Sequence, residues 1–153
     1  MKKKKTSWYE EEFSIISKEI RKKNQLSYFD FLRIRNYKLN NVTKALEDEI
    51  SKCTKEAFEL VENGNIKGAV EKLITLSGVR IPIASAILAM RFPEKCAIID
   101  RVVIEQLGKK EWLKRYLENT DIYIEYLELL KKKRPKNKSL REFELELWEK
   151  GRK

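Results

Sequence analysis

Residues 76–107 read LSGVRIPIASAILAMRFPEKCAIIDRVVIEQL, and this stretch decides the fold. Leu73, Ile74 and Leu76 close one apolar helix, Ser77-Gly78-Val79-Arg80 makes a tight turn, and Ile83, Ala84, Ala86, Ile87 and Leu88 belong to a second apolar helix that follows at once. Gly78 supplies the positive φ that such a turn demands, and Leu76 and Val79 are the residues that would bury and pin it. Pro82 falls in the first turn of the second helix, where a missing N–H costs nothing. A helix, a glycine turn and a helix together aim backbone N–H groups at an anion. Here these are the amides from Gly78 through Val79 and Arg80 to Ile81, with the Ser77 hydroxyl and the Arg80 guanidinium as further donors. Downstream, the uncharged run Cys96-Ala97-Ile98-Ile99 leads to one acid, Asp100, at the start of another helix. Such a run restricts the solvation of the carboxylate, which can then face positive charge developing on a sugar carbon. Asp is also a common N-cap, and the two roles are compatible.

Working outward, apolar residues recur at helical spacing almost everywhere, and no strand-like alternation or internal repeat is found. Residues 1–6 read as a disordered basic tail. Ser7-x-x-Glu10 has capping-box form and opens a helix to residue 23; Ser27-x-x-Asp30 opens a second over 28–37. Asn40-Asn41 is a break. A long helix over 42–61 would bury Val42, Leu46, Ile50, Cys53, Ala57 and Leu60, and Asn63-Gly64 stops it. Asn65 caps a helix over 66–76. Beyond the hairpin, helices are expected over 81–90, 100–107, 111–118 and 122–133, with Thr120 or Asp121 capping that over 122–133. Ser139-x-x-Glu142 starts a last helix with Leu140, Phe143, Leu147 and Trp148 apolar. Trp8, Phe13, Trp112, Tyr116, Phe143 and Trp148 read as core aromatics that join the chain ends. The expectation is one all-α domain over 7–153, with a central lobe over 27–107 and the terminal helices forming a second lobe.

Composition narrows the chemistry. The chain has 153 residues, enough for one core. No apolar run approaches the ~20 residues of a membrane span, and the basic start MKKKKTSW is followed by no apolar run of the secretory kind. A cytoplasmic protein that contacts no membrane is expected. Cys53 and Cys96 are too few for a disulfide framework or a four-thiolate cluster and read as buried free thiols. There is no histidine, which removes His-based acid–base work, Ser-His triads and the usual zinc sites; no metal and no cofactor is expected. The net charge of +10 is local: Lys2 to Lys5 carry four cations and Lys131, Lys132, Lys133, Arg134, Lys136 and Lys138 carry six, leaving 24 basic against 24 acidic residues elsewhere. Lys-rich segments often serve only solubility, but a neutral body with a localised basic segment is also how a polyanion-binding surface is arranged.

The pattern Leu76-x-Gly78-Val79-x-x-x-x-Ala84, then Ile98-Ile99-Asp100, then Val103 and Leu107 resembles the helix-hairpin-helix superfamily of DNA glycosylases, which includes endonuclease III and the adenine and 3-methyladenine glycosylases. The strong part covers about a fifth of the chain. The resemblance implies an all-α glycosylase-like fold, duplex DNA as partner, including DNA with a damaged base, and a catalytic role for Asp100, which matches the family's essential carboxylate. Bifunctional members carry a Schiff-base lysine in the hairpin's second half. That place falls on Pro82 here, 18 residues before Asp100, so no lyase step runs through it and the implied enzyme is a monofunctional N-glycosylase. Arg80 replaces the usual second hairpin glycine, and Glu105 stands where many members have a basic residue. The chain is also short for the family and lacks the cysteines of its iron–sulfur members. Three readings follow: a monofunctional glycosylase acting on a flipped base, a non-catalytic DNA-binding module, and a helical interaction protein. In each the protein is taken as a monomer.

Overall fold

A computed structural model describes residues 6–38 and 43–153. Among them every regular element is helical: α1 (Thr6–Ile20), α2 (Tyr28–Lys38), α3 (Glu47–Glu62), α4 (Ile66–Leu73), α5 (Ile81–Arg91), α6 (Arg101–Gln106), a 3-10 helix (Lys110–Lys114), α7 (Thr120–Lys133) and α8 (Leu140–Arg152). The all-α expectation therefore holds for these residues. No described helix is long and apolar enough to cross a membrane.

α5 is the centre of the molecule. Every residue from Ile81 to Met90 is buried, as its continuous apolar sequence requires. α1, α2 and α4 pack on it. α3 lies along α4, α7 against α4, and α8 against α6. The buried cluster runs from Phe13 on α1 to Phe143 on α8. At the α6–α8 contact, a Cβ on Gly151 would lie 2.2 Å from Val102 Cγ1. The two helices approach closely there, and this sets α6, with Asp100 at its head, against α8.

Several boundaries differ from expectation for identifiable reasons. α1 already includes Thr6, so Ser7 lies within the helix. α3 starts at Glu47, because the preceding turn is held elsewhere. The Thr43 hydroxyl donates to the Ser77 carbonyl (2.7 Å) and accepts the Ala45 N–H, while the Lys44 N–H donates to Ser77 Oγ (3.3 Å). The Glu49 carboxylate then accepts the Leu46 N–H, and Glu47, Asp48 and Glu49 oppose the positive end of the helix dipole. Leu46, expected in the core, is 67% exposed. The Asn40-Asn41 break, Val42 and the residues before Thr6 lie outside the described residues. α4 ends at Leu73, because the chain tightens into turns in which Thr75 donates both N–H and hydroxyl to the Lys72 carbonyl. Only a 3-10 segment forms within 111–118, and α7 is capped by Asn119, whose Oδ1 accepts the Ile122 N–H, in place of Thr120 or Asp121.

Both cysteines are buried free thiols, as expected. Burial pushes the Cys96 thiol up to about 12 and raises that of Cys53. Since the thiolate is the reactive form, neither should be alkylated by iodoacetamide in the native protein at pH 8, and both should react in denaturant. Rapid native labelling, read by intact mass, would contradict this burial.

Candidate functional site

Asp100 is the N-cap of α6. One carboxylate oxygen, Oδ2, accepts the Val102 N–H at 2.9 Å, and the other, Oδ1, receives Lys38 Nζ at 3.2 Å from the C-terminal end of α2. The side chains are 24% and 17% exposed, so this is a half-buried ion pair. The connector before Asp100 has no regular structure, yet its buried polar groups are matched by side chains. Tyr123 donates its hydroxyl to the Ala97 carbonyl (2.8 Å), and Tyr126 donates to that of Ile98 (2.8 Å). The Ile98 N–H donates to the Glu144 carboxylate (2.7 Å), and the Ile99 N–H to Ser85 Oγ (3.0 Å). A buried irregular segment needs such partners. Here they come from α5, α7 and α8, and together they fix where Asp100 begins.

Beside Asp100 lies a cavity of about 130 Å³. Its aromatic walls are Tyr9, Tyr37 and Trp148, and its charged groups are Lys38, Asp100, Arg141 and Glu144. Arg141 bonds Glu144 and also donates from Nη2 to the Tyr37 hydroxyl (2.8 Å). Its guanidinium carbon sits 4.0 Å from the centroid of the Phe13 ring. Burial pushes the Glu144 carboxyl above the ordinary Glu range, against the pull of Arg141, the Ile98 N–H and Lys38. Burial likewise pushes the Tyr37 phenol up to about 12. Trp148, read from sequence as a core aromatic, is a cavity wall that meets Tyr9 edge-on at 5.1 Å.

The hairpin takes the expected backbone. Gly78 has φ +77°, and Leu76 and Val79 are buried. Its amides are only partly available. The Val79 N–H donates to the Leu76 carbonyl and the Ile81 N–H to that of Leu117, both at 3.1 Å. Of the four amides expected to converge, those of Gly78 and Arg80 make no hydrogen bond among the described residues. Arg80 is exposed and pairs with Glu118 at 3.2 Å. Ser77 is engaged by Thr43 and Lys44.

Two connections link the hairpin to the surroundings of Asp100. Lys38 pairs with Asp100, and Thr43, five residues later in the chain, holds Ser77. The Leu117 carbonyl that receives Ile81 follows Tyr116, whose phenol is raised by burial and then by the Asp100 charge. The basic segment is farther away. Lys131, Lys132 and Lys133 form the last turn of α7, where cations suit the helix dipole. Arg134 and Lys136 are exposed beyond it, and Lys138 pairs with Glu146. The hairpin contacts the residues leading into α7, whereas these cations follow its other end. The 14 residues of α7 put about 20 Å between the two. Among the described residues no group of three or more His, Cys, Asp or Glu side chains is placed to hold a metal ion. No protein-family model matches the chain, and neither a curated protein nor a solved structure matches it.

Proposed function

We propose that this chain binds duplex DNA through the Gly78 hairpin and admits a nucleoside, turned out of the duplex, to the cavity beside Asp100, as a glycosylase-like protein acting on an altered base. One observation carries the reading. The carboxylate singled out by the sequence, Asp100, lines an aromatic-walled cavity, and its partner Lys38 lies five residues before Thr43, which holds the hairpin's Ser77. Aromatic walls suit a flipped base, and they line a space of about 130 Å³ beside Asp100. As the N-glycosidic bond breaks, positive charge develops on the sugar. A fixed carboxylate stabilises it, and water then adds to C1′. The Val102 N–H and Lys38 hold Asp100 before any substrate arrives. A duplex touching both the hairpin and residues 131–138 would be covered over about 6 base pairs at ~3.4 Å each.

The second reading is a DNA-binding module without catalysis. It is favoured by the internal use of the Val79 and Ile81 amides and by the existing pairing of Asp100 with Lys38. Base release separates the two. Incubation with duplexes each carrying one alkylated, oxidised, deaminated or mismatched base should free at least one of those bases, detected by chromatography and mass. Release from none would leave the binding module as the better reading. In either case, replacing Gly78 by Val and Arg80 by Ala should weaken binding to all sequences about equally, because phosphate contacts carry no sequence information. A loss confined to particular sequences would show that the hairpin reads bases.

A further inference from the structure

The hydrogen-bonding groups around the cavity beside Asp100 are one-sided. Its carboxylate oxygens are all engaged. Asp100 accepts Lys38 on Oδ1 and the Val102 N–H on Oδ2, and Glu144 accepts the Ile98 N–H on Oε1 and Arg141 on Oε2. The donors are not used up. The Tyr37 hydroxyl oxygen accepts Arg141 Nη2 at 2.8 Å and so keeps its own hydrogen to give. The guanidinium polarises that O–H and strengthens it as a donor. Lys38 spends one N–H on Asp100; an ammonium has three and accepts nothing. The Trp148 indole N–H, a donor only, and the Tyr9 hydroxyl have no hydrogen-bond partner among the described residues. Tyr9, Tyr37, Lys38 and Trp148 thus hold spare donors, while every oxygen of the two lining carboxylates already accepts.

A ring that enters this space meets N–H and O–H groups between aromatic faces. A carbonyl oxygen on its edge accepts from them. An exocyclic amino group sets donors against donors, and a polar group left unpaired in a shielded site costs about 1–3 kcal/mol. We infer that the cavity takes a base with carbonyl oxygens and no exocyclic amino group, and that the Tyr37 hydroxyl donates to the oxygen standing where cytosine and adenine carry their amino group. Tyr37 and Lys38 are successive residues of α2 anchored at different points, Tyr37 at Arg141 and Lys38 at Asp100. With Asp100 turned to the sugar, Lys38 stays with it and the Tyr37 hydroxyl serves the base edge. The inference rests on the DNA reading and narrows it to one kind of altered base, the products of deamination. Uracil from cytosine, hypoxanthine from adenine and thymine from 5-methylcytosine each carry an oxygen in place of an amino group. Thymine in a normal pair is protected by the cost of turning it out, which is least for a mismatched base.

The test uses the full chain and duplexes that each contain one mismatched nucleotide: uracil or cytosine opposite thymine, and hypoxanthine or adenine opposite guanine. Affinity is read by fluorescence anisotropy, which needs no catalysis. The wild type should prefer uracil over cytosine and hypoxanthine over adenine by at least about tenfold. Tyr37→Phe keeps the aromatic wall and removes the O–H. On the same duplexes, where differences in pairing cancel between the two proteins, it should narrow each preference by at least about threefold and bind a fully paired duplex as the wild type does. The comparison within the wild type stands even where loss of the Arg141 contact unfolds the variant. Duplex binding without a preference, a preference for cytosine and adenine, or a preference that Tyr37→Phe leaves unchanged would overturn the inference and leave the DNA reading in place. Failure to bind any duplex would instead defeat the DNA reading, and this inference with it.

Discussion

Asp100→Asn is expected to lower base excision by at least ~100-fold, the scale seen when one preorganised electrostatic group is removed, while leaving the fold and DNA affinity in place. Asn still accepts the Val102 N–H through its single amide oxygen and caps α6, while its NH2 takes the place of Oδ1 opposite Lys38 and the ion pair is lost, so the stability cost should be about 1–2 kcal/mol. What disappears is the negative charge facing the sugar. Affinity for an unmodified duplex should stay the same or rise slightly, since a negative charge near the phosphates has gone. The measurement is single-turnover base release, wild type beside variant, with urea unfolding of both. Excision that survives the substitution would remove Asp100 from the chemistry. Excision lost together with the fold would make it a structural cap only.

The second large effect concerns Glu144, which is 4% exposed and is bonded to both Arg141 and the Ile98 N–H. Glu144→Ala leaves a buried guanidinium and a buried amide without their acceptor, and about 3–5 kcal/mol of stability should be lost. The double variant Arg141→Met, Glu144→Leu strands neither charge but still leaves the Ile98 N–H without its acceptor, so it should lose less than the two single substitutions combined while keeping a cost of about 1–3 kcal/mol. The pH dependence has a definite sign. Burial raises the folded-state value of Glu144 above 4.5, so the native state binds this proton more tightly than the unfolded chain does. The stability associated with Glu144 is therefore full below about pH 4.5 and falls as pH climbs from there through the raised folded value. Glu144→Gln, which keeps an acceptor for Ile98 but does not titrate, should flatten that fall. Urea midpoints across this range decide the matter. A Glu144→Ala variant within about 1 kcal/mol of wild type would mean that the Arg141–Glu144–Ile98 contacts do not hold the connector.

How much of this was legible in the sequence depends on the range of the interaction. Helix type followed from local periodicity. The hairpin followed from one glycine between two apolar runs, and Gly78 has the positive φ inferred for it. Asp100 as a cap followed from an acid between an apolar run and a helix. The hairpin's spare donors were overcounted, because the Leu117 carbonyl that takes the Ile81 N–H lies 36 residues downstream and no local pattern announces it. The start of α3 was misplaced for the same reason: Thr43 and Lys44 are held by Ser77, more than 30 residues away. Lys38 and Tyr37 reach the site only through tertiary folding, Tyr37 pairing with Arg141 across 104 residues. Glu144 did leave a signal. It lies on the stripe Leu140, Phe143, Glu144, Leu147 at i, i+3, i+4 and i+7, the face of α8 that must be buried, and a carboxylate there requires a partner. Trp148 on that same stripe gave no sign that it walls a cavity, because periodicity reports burial and not what lies opposite.

Duplex binding tests the central claim most directly. A labelled duplex titrated with the wild-type chain and followed by fluorescence anisotropy should show micromolar or tighter affinity at ~50 mM salt. The logarithm of the association constant should then fall steeply with the logarithm of salt, by about 0.9 for each phosphate neutralised. Weaker binding and a shallower slope are expected for the chain altered at Gly78 and Arg80. No binding to any duplex at ~50 mM salt, or binding indifferent to salt, would contradict the account.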